Sequence, residues 1–289
     1  MNVGIISGGE GWHVRDLARA LVEVGHEPVF VRFQDLQASS HSARTLLRPM
    51  DVALIRSIPA GTLEQTIFRL NVLHRLEAEG LRIVNGPVAL ETCVDKYLCS
   101  AKLAAAGLPT PVTQVCQTSA QALSAVSSLG GDCVIKPLFG SEGRGIVRVS
   151  DRETAWRVFQ AWERVGAVFY VQPFLAGKGY DLRALVLDGK VLAAMRRWAP
   201  QNGWITNISQ GGRAEAVSLT AQEATLAVQA AEVTGATVAG VDLLPVVDGT
   251  TYVLEVNGVP GWRALGSVSQ LDVAQALVRL ALNPRTKLT

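Results

Sequence analysis

The sequence predicts an α/β protein of three successive α/β units, and three observations carry that expectation. Short apolar runs alternate with amphipathic helical stretches through the first 90 residues, the pattern of a small open parallel sheet covered by helices. Four strand-like runs and two helices then make a compact block between residues 112 and 171. Beyond Tyr180, the pairs Asp188-Gly189 and Asp248-Gly249 each separate two strand-like runs and mark hairpins. The expected division is an amino-terminal α/β domain over 1–90, a helical linker over 91–110, a middle domain over 111–173 and a carboxyl-terminal domain over 174–289.

In chain order, NVGIIS reads as a buried strand, and Val14, Leu17, Ala18, Leu21 and Val22 recur at helical spacing until Gly25 stops the helix. PVFVRF and DVALIRS are strands, Leu63, Ile67, Leu70 and Leu73 mark a helix, and LRIVN is a fourth strand. SGGEGW and RSIPAGTLEQ follow the first and third strands, where open α/β sheets hold ligands, although GGEG lacks dinucleotide-fingerprint spacing and also suits a plain turn. Two helical stretches run from Ala89 to Ala106, and Gly107, Pro109 and Pro111 end them. VTQVCQ, CVIKP, IVRVS and AVFYVQPF are the strands of the middle block, with helices over SAQALSAVSSL and ETAWRVFQAW. Helices over 220–235 and 268–282 complete the chain.

Composition excludes several classes. Of 289 residues, 48% are hydrophobic and 18% charged, which suits packed cores and not disorder. A formal charge of +2 with no run of five like charges gives nucleic acid no footprint. MNVGIISGG has no basic leader, and no apolar stretch approaches the roughly 20 residues of a membrane span, so a cytoplasmic protein is expected. Cys93, Cys99, Cys116 and Cys133 form no CxxC pair and read as buried free thiols, and four scattered histidines leave zinc without a site.

Chemistry concentrates in IKPLFGSEGRGI. A strand delivers Lys136; Gly140, Ser141, Gly143 and Gly145 then leave a loop whose backbone amides can approach anionic oxygens unobstructed. A strand follows, so this is not the GxxxxGK(S/T) loop that opens a helix. Downstream, Asp181 and Arg183 share one face of a strand, and Arg196 and Arg197 end the apolar run VLAAMRRW. Glu255 and Asn257, two apart in YVLEVNG, point the same way. The hairpin at Asp248-Gly249 places Asp242 on the strand beside Glu255. Two carboxylates and an amide oxygen meeting there suit magnesium carrying nucleotide phosphates, and a metal relieves the repulsion of an unpaired carboxylate pair. Singly, each residue also fits a structural role: Asp242 in a turn, Arg197 as a surface charge, Lys136 in a salt bridge. Jointly they are the parts a phosphoryl-transfer site needs.

In DKYLCSAKLAAAGLPTP, IKPLFGSEGRGI, VQPFL, DLRALVLDGKVLAAMRR, TNISQGG, VAGVDLL and LEVNGVPG the chain resembles the ATP-grasp carboxylate-amine ligases, and within them the RimK-like glutamate ligases. The resemblance implies an ATP-grasp fold, a small parallel sheet followed by two domains clasping ATP. It implies that Lys96 and Lys136 contact ATP phosphates and that the loop from Gly140 to Gly145 closes over them. Gln172, Pro173, Phe174 and Leu175 become the hinge against adenine, with Asp181 at the ribose; Pro173 replaces the family's usual acidic residue and removes one amide donor. Arg197 meets the transferred phosphate, and Asp242, Glu255 and Asn257 hold two magnesium ions, for which manganese can substitute. The implied reaction phosphorylates a substrate carboxylate and lets an amine displace phosphate from the acylphosphate, with no cysteine, serine or histidine nucleophile.

Arg183, Asn207 and Gly211 fall to the substrate side. In WITNISQGG, Ile205, Ser209 and Gln210 stand where RimK-type enzymes commonly carry basic residues, which weakens the case for an acidic peptide acceptor. RSIPAGTLEQTIFRLNVLHRLEAEG and EVNGVPGWRAL resemble the tetrahydromethanopterin:glutamate ligases, implying glutamate and a small pterin-type acceptor as substrates. Trp262 then offers an aromatic face to the ring, or packs behind the turn, and Arg263 offers a partner for a carboxylate. Two alternatives stay open: a ligase acting on a peptide or protein carboxyl terminus, and a non-catalytic ATP-binding regulator. The resemblance also implies a homo-oligomer.

Overall fold

The computed structural model describes residues 1–43, 48–140, 143–201 and 203–283. The strands β1 (Val3–Ser7), β2 (Pro28–Arg32), β3 (Val52–Ile55) and β4 (Arg82–Val84) pair in parallel in the order β2-β1-β3-β4. Helix α1 (Trp12–Glu23) buries Val14, Leu17 and Leu21, the stripe its periodicity marks. Helix α2 (Leu63–Ala78) begins at a capping box in which Thr62 accepts from the Gln65 amide and the Gln65 side chain returns to the Thr62 amide. Helices α3 (Pro87–Val94) and α4 (Lys96–Ala105) are separate because the Asp95 carboxylate caps the second, accepting from Tyr97 and Leu98 amides.

The second sheet is antiparallel, in the order β5-β8-β6-β7, from β5 (Gln114–Cys116), β6 (Cys133–Pro137), β7 (Val147–Val149) and β8 (Phe169–Pro173). Helices α5 (Ser119–Ser128) and α6 (Arg152–Glu163) close its core around Phe159, Phe169 and Val171. The third sheet has the order β11-β10-β9-β12-β13, from β9 (Tyr180–Leu187), β10 (Lys190–Trp198), β11 (Arg213–Ala216), β12 (Val238–Pro245) and β13 (Thr251–Asn257). Asp188 and Gly189 both have positive φ, the turn geometry that two-residue hairpins favour.

Both faces of the third sheet are covered, which is why its strands read as nearly continuous apolar runs. One face packs Leu182, Ala184, Val186 and Val241 against α7 (Ala221–Thr234). On the other face, Leu185, Met195 and Val238 join Val3, Ile5 and Leu54 of the first sheet in a single core. The helix expected over 268–282 begins at Val273 as α9 (Val273–Leu282), and a separate α8 (Arg263–Ser269) precedes it, the two divided where Gln270 takes a positive φ of 56°. Helix α9 puts Leu277 and Val278 into the core of the first sheet, and Arg82 donates to the carbonyls of Leu280 and Ala281. Residues 273–282 thus share a core with the amino-terminal sheet and with the third sheet. Among the described residues, no helix is long and apolar enough to cross a membrane.

Candidate active site

Strand register builds the site. In β6 and β8, Val134 pairs with Gln172 and Lys136 with Tyr170, so these side chains share a face. Gln172 is buried and links the group: its Oε1 accepts from Lys136 Nζ at 2.9 Å, and its Nε2 donates to Tyr170 Oη at 2.8 Å and to Thr113 Oγ1 at 2.9 Å. In the third sheet Arg197 pairs with Asp181, Asp242 with Arg183, and Asp242 also with Glu255, which places all five on one face. A bulge between Asp242 and Leu243 inserts Leu254 as an extra residue, and Leu254 and Glu255 consequently both line the cavity.

A cavity of about 330 Å³ opens between the second and third sheets. Lys96, Lys136, Gly140, Gly143, Asp181, Arg197, Asn207, Asp242 and Glu255 line it, together with Gln172 through Leu175, so the expected phosphate, hinge and carboxylate residues meet in one place. Ser141 lies outside the described residues. Gly145 stands beside Pro137 with φ of 74°, part of the loop but not of the lining. Lys96 Nζ donates to the carbonyl of Gly140 at 2.8 Å, tying α4 to the glycine loop. Burial pushes the pKa of Lys136 below its ordinary value, opposed by Glu255, and that of Lys96 shifts the same way for the same reasons.

The carboxylates are arranged differently from expectation. Asp242 and Glu255 do not stand as an unpaired acidic couple: Arg183 grips Asp242 through Nε and Nη2, and Arg197 Nη2 reaches Asp242 at 2.9 Å. Burial disfavours ionised Asp242, but the two guanidinium groups outweigh it and hold the carboxyl down at about 2. Arg197 also binds Asp181 at 2.7 and 2.6 Å, and Thr206 Oγ1 donates to the same carboxylate at 2.5 Å, which encloses the residue expected at a ribose. Arg183, expected on the substrate side, is a partner of Asp242 and lies outside the cavity lining. Glu255 keeps 35% of its side chain exposed, and its Oε1 accepts from Asn257 Nδ2 at 3.0 Å.

Two further expectations change. Trp262 is buried, with its indole N–H on Asp16 at 2.9 Å and its ring edge-on to His13, so it packs behind the turn and offers no open face. Arg263 stacks near Trp12, 5.6 Å from the ring centre, and like Gly211 it does not line the cavity. Sequence reasoning missed the apolar walls Val134, Ile146, Leu244 and Leu254, and also Arg144, Trp204 and Thr206. Only the period of two could have found a wall: Val134 precedes Lys136 by two and Leu244 follows Asp242 by two.

An antiparallel lid-like sheet facing a larger one, with lysines on one side and carboxylates on the other, defines the ATP-grasp class of enzymes. The chain belongs to the RimK-like ATP-grasp family, whose domain model matches residues 93–281. It is 31% identical to the tetrahydromethanopterin:alpha-L-glutamate ligase of Methanosarcina acetivorans, over 97% of this chain and 98% of that one. It is 32% identical to a probable alpha-L-glutamate ligase of Shewanella frigidimarina, over 96% of this chain and 95% of the other. Among solved structures, the ATP-grasp ligase PsnB complexed with a phosphomimetic variant of minimal precursor, Mg and ADP superposes with a TM-score of 0.76 at 20% identity, covering 97% of each chain. The protein is accordingly an ATP-dependent, ADP-forming carbon-nitrogen ligase.

Proposed function

We propose that the protein joins L-glutamate to a small carboxylate-bearing cofactor or precursor of pterin type, through an acylphosphate made at the expense of ATP. The observation that carries this reading is the convergence of Lys96, Lys136, Arg197, Asp242 and Glu255 on one cavity. The names and near full-length coverage of the relatives support glutamate and a pterin-type acceptor.

The apolar walls suit the faces of an adenine ring, and the backbone from Gln172 to Leu175 offers its edge hydrogen-bonding groups. Lys136 and Lys96 exchange their present partners, Gln172 and the Gly140 carbonyl, for phosphate oxygens. Arg197, held rigid by Asp181, presents a planar fork to the transferred phosphoryl group. Gly143 lies against Asn207, and loop contact there excludes the water that would hydrolyse an acylphosphate.

The donor set fits a hard metal whose sphere phosphate oxygens complete: Glu255 is exposed to the cavity, Asn257 is aligned beside it, and Asp242 retains free lone pairs beyond the three bonds from its two guanidinium partners. Among the described residues no three Asp, Glu, His or Cys side chains cluster into a metal site of their own, in keeping with a metal that arrives with nucleotide. Two magnesium ions, or manganese in their place, would offset phosphate charge when bound.

We place the enzyme in the cytoplasm as a homo-oligomer; its free cysteines suit a reducing compartment, and exposed Leu63, Ile67 and Phe68 of α2 suit a subunit contact. Purified protein with magnesium-ATP, L-glutamate and a panel of pterin, furan and peptide acceptors tests the substrate assignment. ADP release with a product heavier by one glutamyl residue is expected with a pterin. Turnover with peptides alone would favour the peptide ligase, and tight ATP binding without any turnover the regulator.

A further inference from the structure

A second crevice lies at the carboxyl end of the first sheet. Strand β1 leads to β2 on one side and β3 leads to β4 on the other, so these connections leave in opposite directions and open a gap beyond the ends of β1 and β3. Arg56 follows β3 there, its backbone N–H donating to the Ile6 carbonyl at 2.8 Å. The turn after β13 closes the other side: Arg56 Nη1 donates to the Val259 carbonyl at 3.2 Å, and the guanidinium carbon lies 5.1 Å from the centre of the Trp262 ring. Val259 is four residues past Glu255, within roughly 13 Å at the rise of extended chain. The crevice therefore adjoins the reacting end of the cavity.

Arg56 has no acidic partner among the described residues, and burial alone pushes its pKa down to about 10. Asp16, the acid beside His13, already accepts from Trp262 and from Arg19, while His13 is neutral and Arg263 adds a second positive charge nearby. Arg183 and Arg197 each grip a carboxylate through the Nε and Nη2 edge. In Arg56 that same edge donates to nothing among the described residues. A Cβ on Gly261 would stand 4.0 Å from Nη2, so glycine there leaves the edge uncovered.

We infer that Arg56 anchors a carboxylate of the amino-acid substrate, bidentate on its Nε and Nη2 edge, and so directs the amine toward the activated carboxyl near Glu255. This rests on the ligase reading above. A half-buried guanidinium without a counter-ion is unfavourable until a ligand supplies one, and its planar fork matches a carboxylate where a lysine would not.

Steady-state kinetics on the full chain test it. Arg56→Gln is expected to raise KM for L-glutamate about 30-fold or more, the loss of a charge-assisted pair, with KM for ATP within about twofold of the parent. Arg56→Lys should recover only part of the loss, and Gly261→Val, which covers the edge and leaves the charge, should raise the same KM. A rise confined to the acceptor's KM overturns the assignment to the amino acid; a fall in kcat and melting temperature without a change in KM shows a strut and overturns the anchor. Calorimetric titration of L-glutamate separates this from the ligase reading. Binding that Arg56→Gln abolishes supports the anchor even if no acceptor is turned over, in which case the ligase reading fails; no binding and no turnover of glutamate by the parent protein overturns the anchor.

Discussion

Glu255 is the acidic group of the site with the freest carboxylate, a third exposed and, among the described residues, bonded only to Asn257 and, at 4.0 Å, to Arg183. Glu255→Gln keeps that geometry and removes the charge, so it is expected to cut kcat at least about 100-fold and to weaken metal dependence while leaving the melting temperature unchanged. Near-normal turnover would remove Glu255 from the metal set. Lys136 differs because it is partly buried, bonded to Gln172 and set over the Tyr170 ring. Its depressed pKa makes the sign definite: the charge it offers to phosphate is lost at lower pH than for an ordinary lysine, so affinity for ATP should weaken early as pH rises. Lys136→Met should raise KM for ATP roughly 30- to 100-fold at neutral pH and flatten that alkaline limb. The residue types were legible in the sequence. Their partners were not, because Asp242 faces Arg183 and Arg197 only through strand register, which no local spacing encodes.

At the scale of elements, the glycine loop and α1 carry predictions. Gly143 has φ of 72°, and a Cβ there would lie 2.7 Å from Asn207 Oδ1. Gly143→Ala therefore strains the loop by about 1 kcal/mol and pushes it off the 204–212 segment. ADP released per product formed should rise well above one, as water reaches the acylphosphate; an unchanged ratio would rule the loop out as the water seal. In α1, burial first and then Arg56 lower the pKa of His13 from 6.5 to about 4. Between those values the unfolded chain binds the proton and the folded one does not, so stability is full above pH 6.5 and declines as pH falls toward 4. Melting curves across that range should show the decline, and His13→Asn should remove its share of the slope. Periodicity identified α1 and α7 within a residue or two and marked α2 only as far as Leu73, short of its end at Ala78, but the break between α8 and α9 depends on Gln270 adopting positive φ, for which glutamine gives no local signal.

For the whole molecule, the first and third sheets act as one body. Asn85 spans them: its Nδ2 donates to the carbonyls of Val238 at 2.7 Å and Gly258 at 2.6 Å, and its Oδ1 accepts from the Val238 amide at 2.8 Å. Asn85→Ala leaves these buried groups unpaired and should cost about 2 to 4 kcal/mol, a fall in melting midpoint of roughly 5 to 10 °C. Activity should fall further than stability, because Gly258 begins the turn that sets Asn257 and Arg56. The second sheet shares neither that core nor that hydrogen bond, which fits a unit able to open and close over nucleotide.

The sequence by itself determined the three sheets and the hairpins, because these are written in short-range periodicity and turn chemistry, while the gathering of two lysines, a glycine loop and two carboxylates was implied by the resemblance to the RimK-like ligases. Only the tertiary structure decided that Asp242 is neutralised by two arginines, that Trp262 is a packing residue, and that Arg56 has an empty edge facing the turn of β13. These depend on which strands become neighbours and how tightly two units close on each other, and such long-range choices leave no mark in residues three or four positions apart.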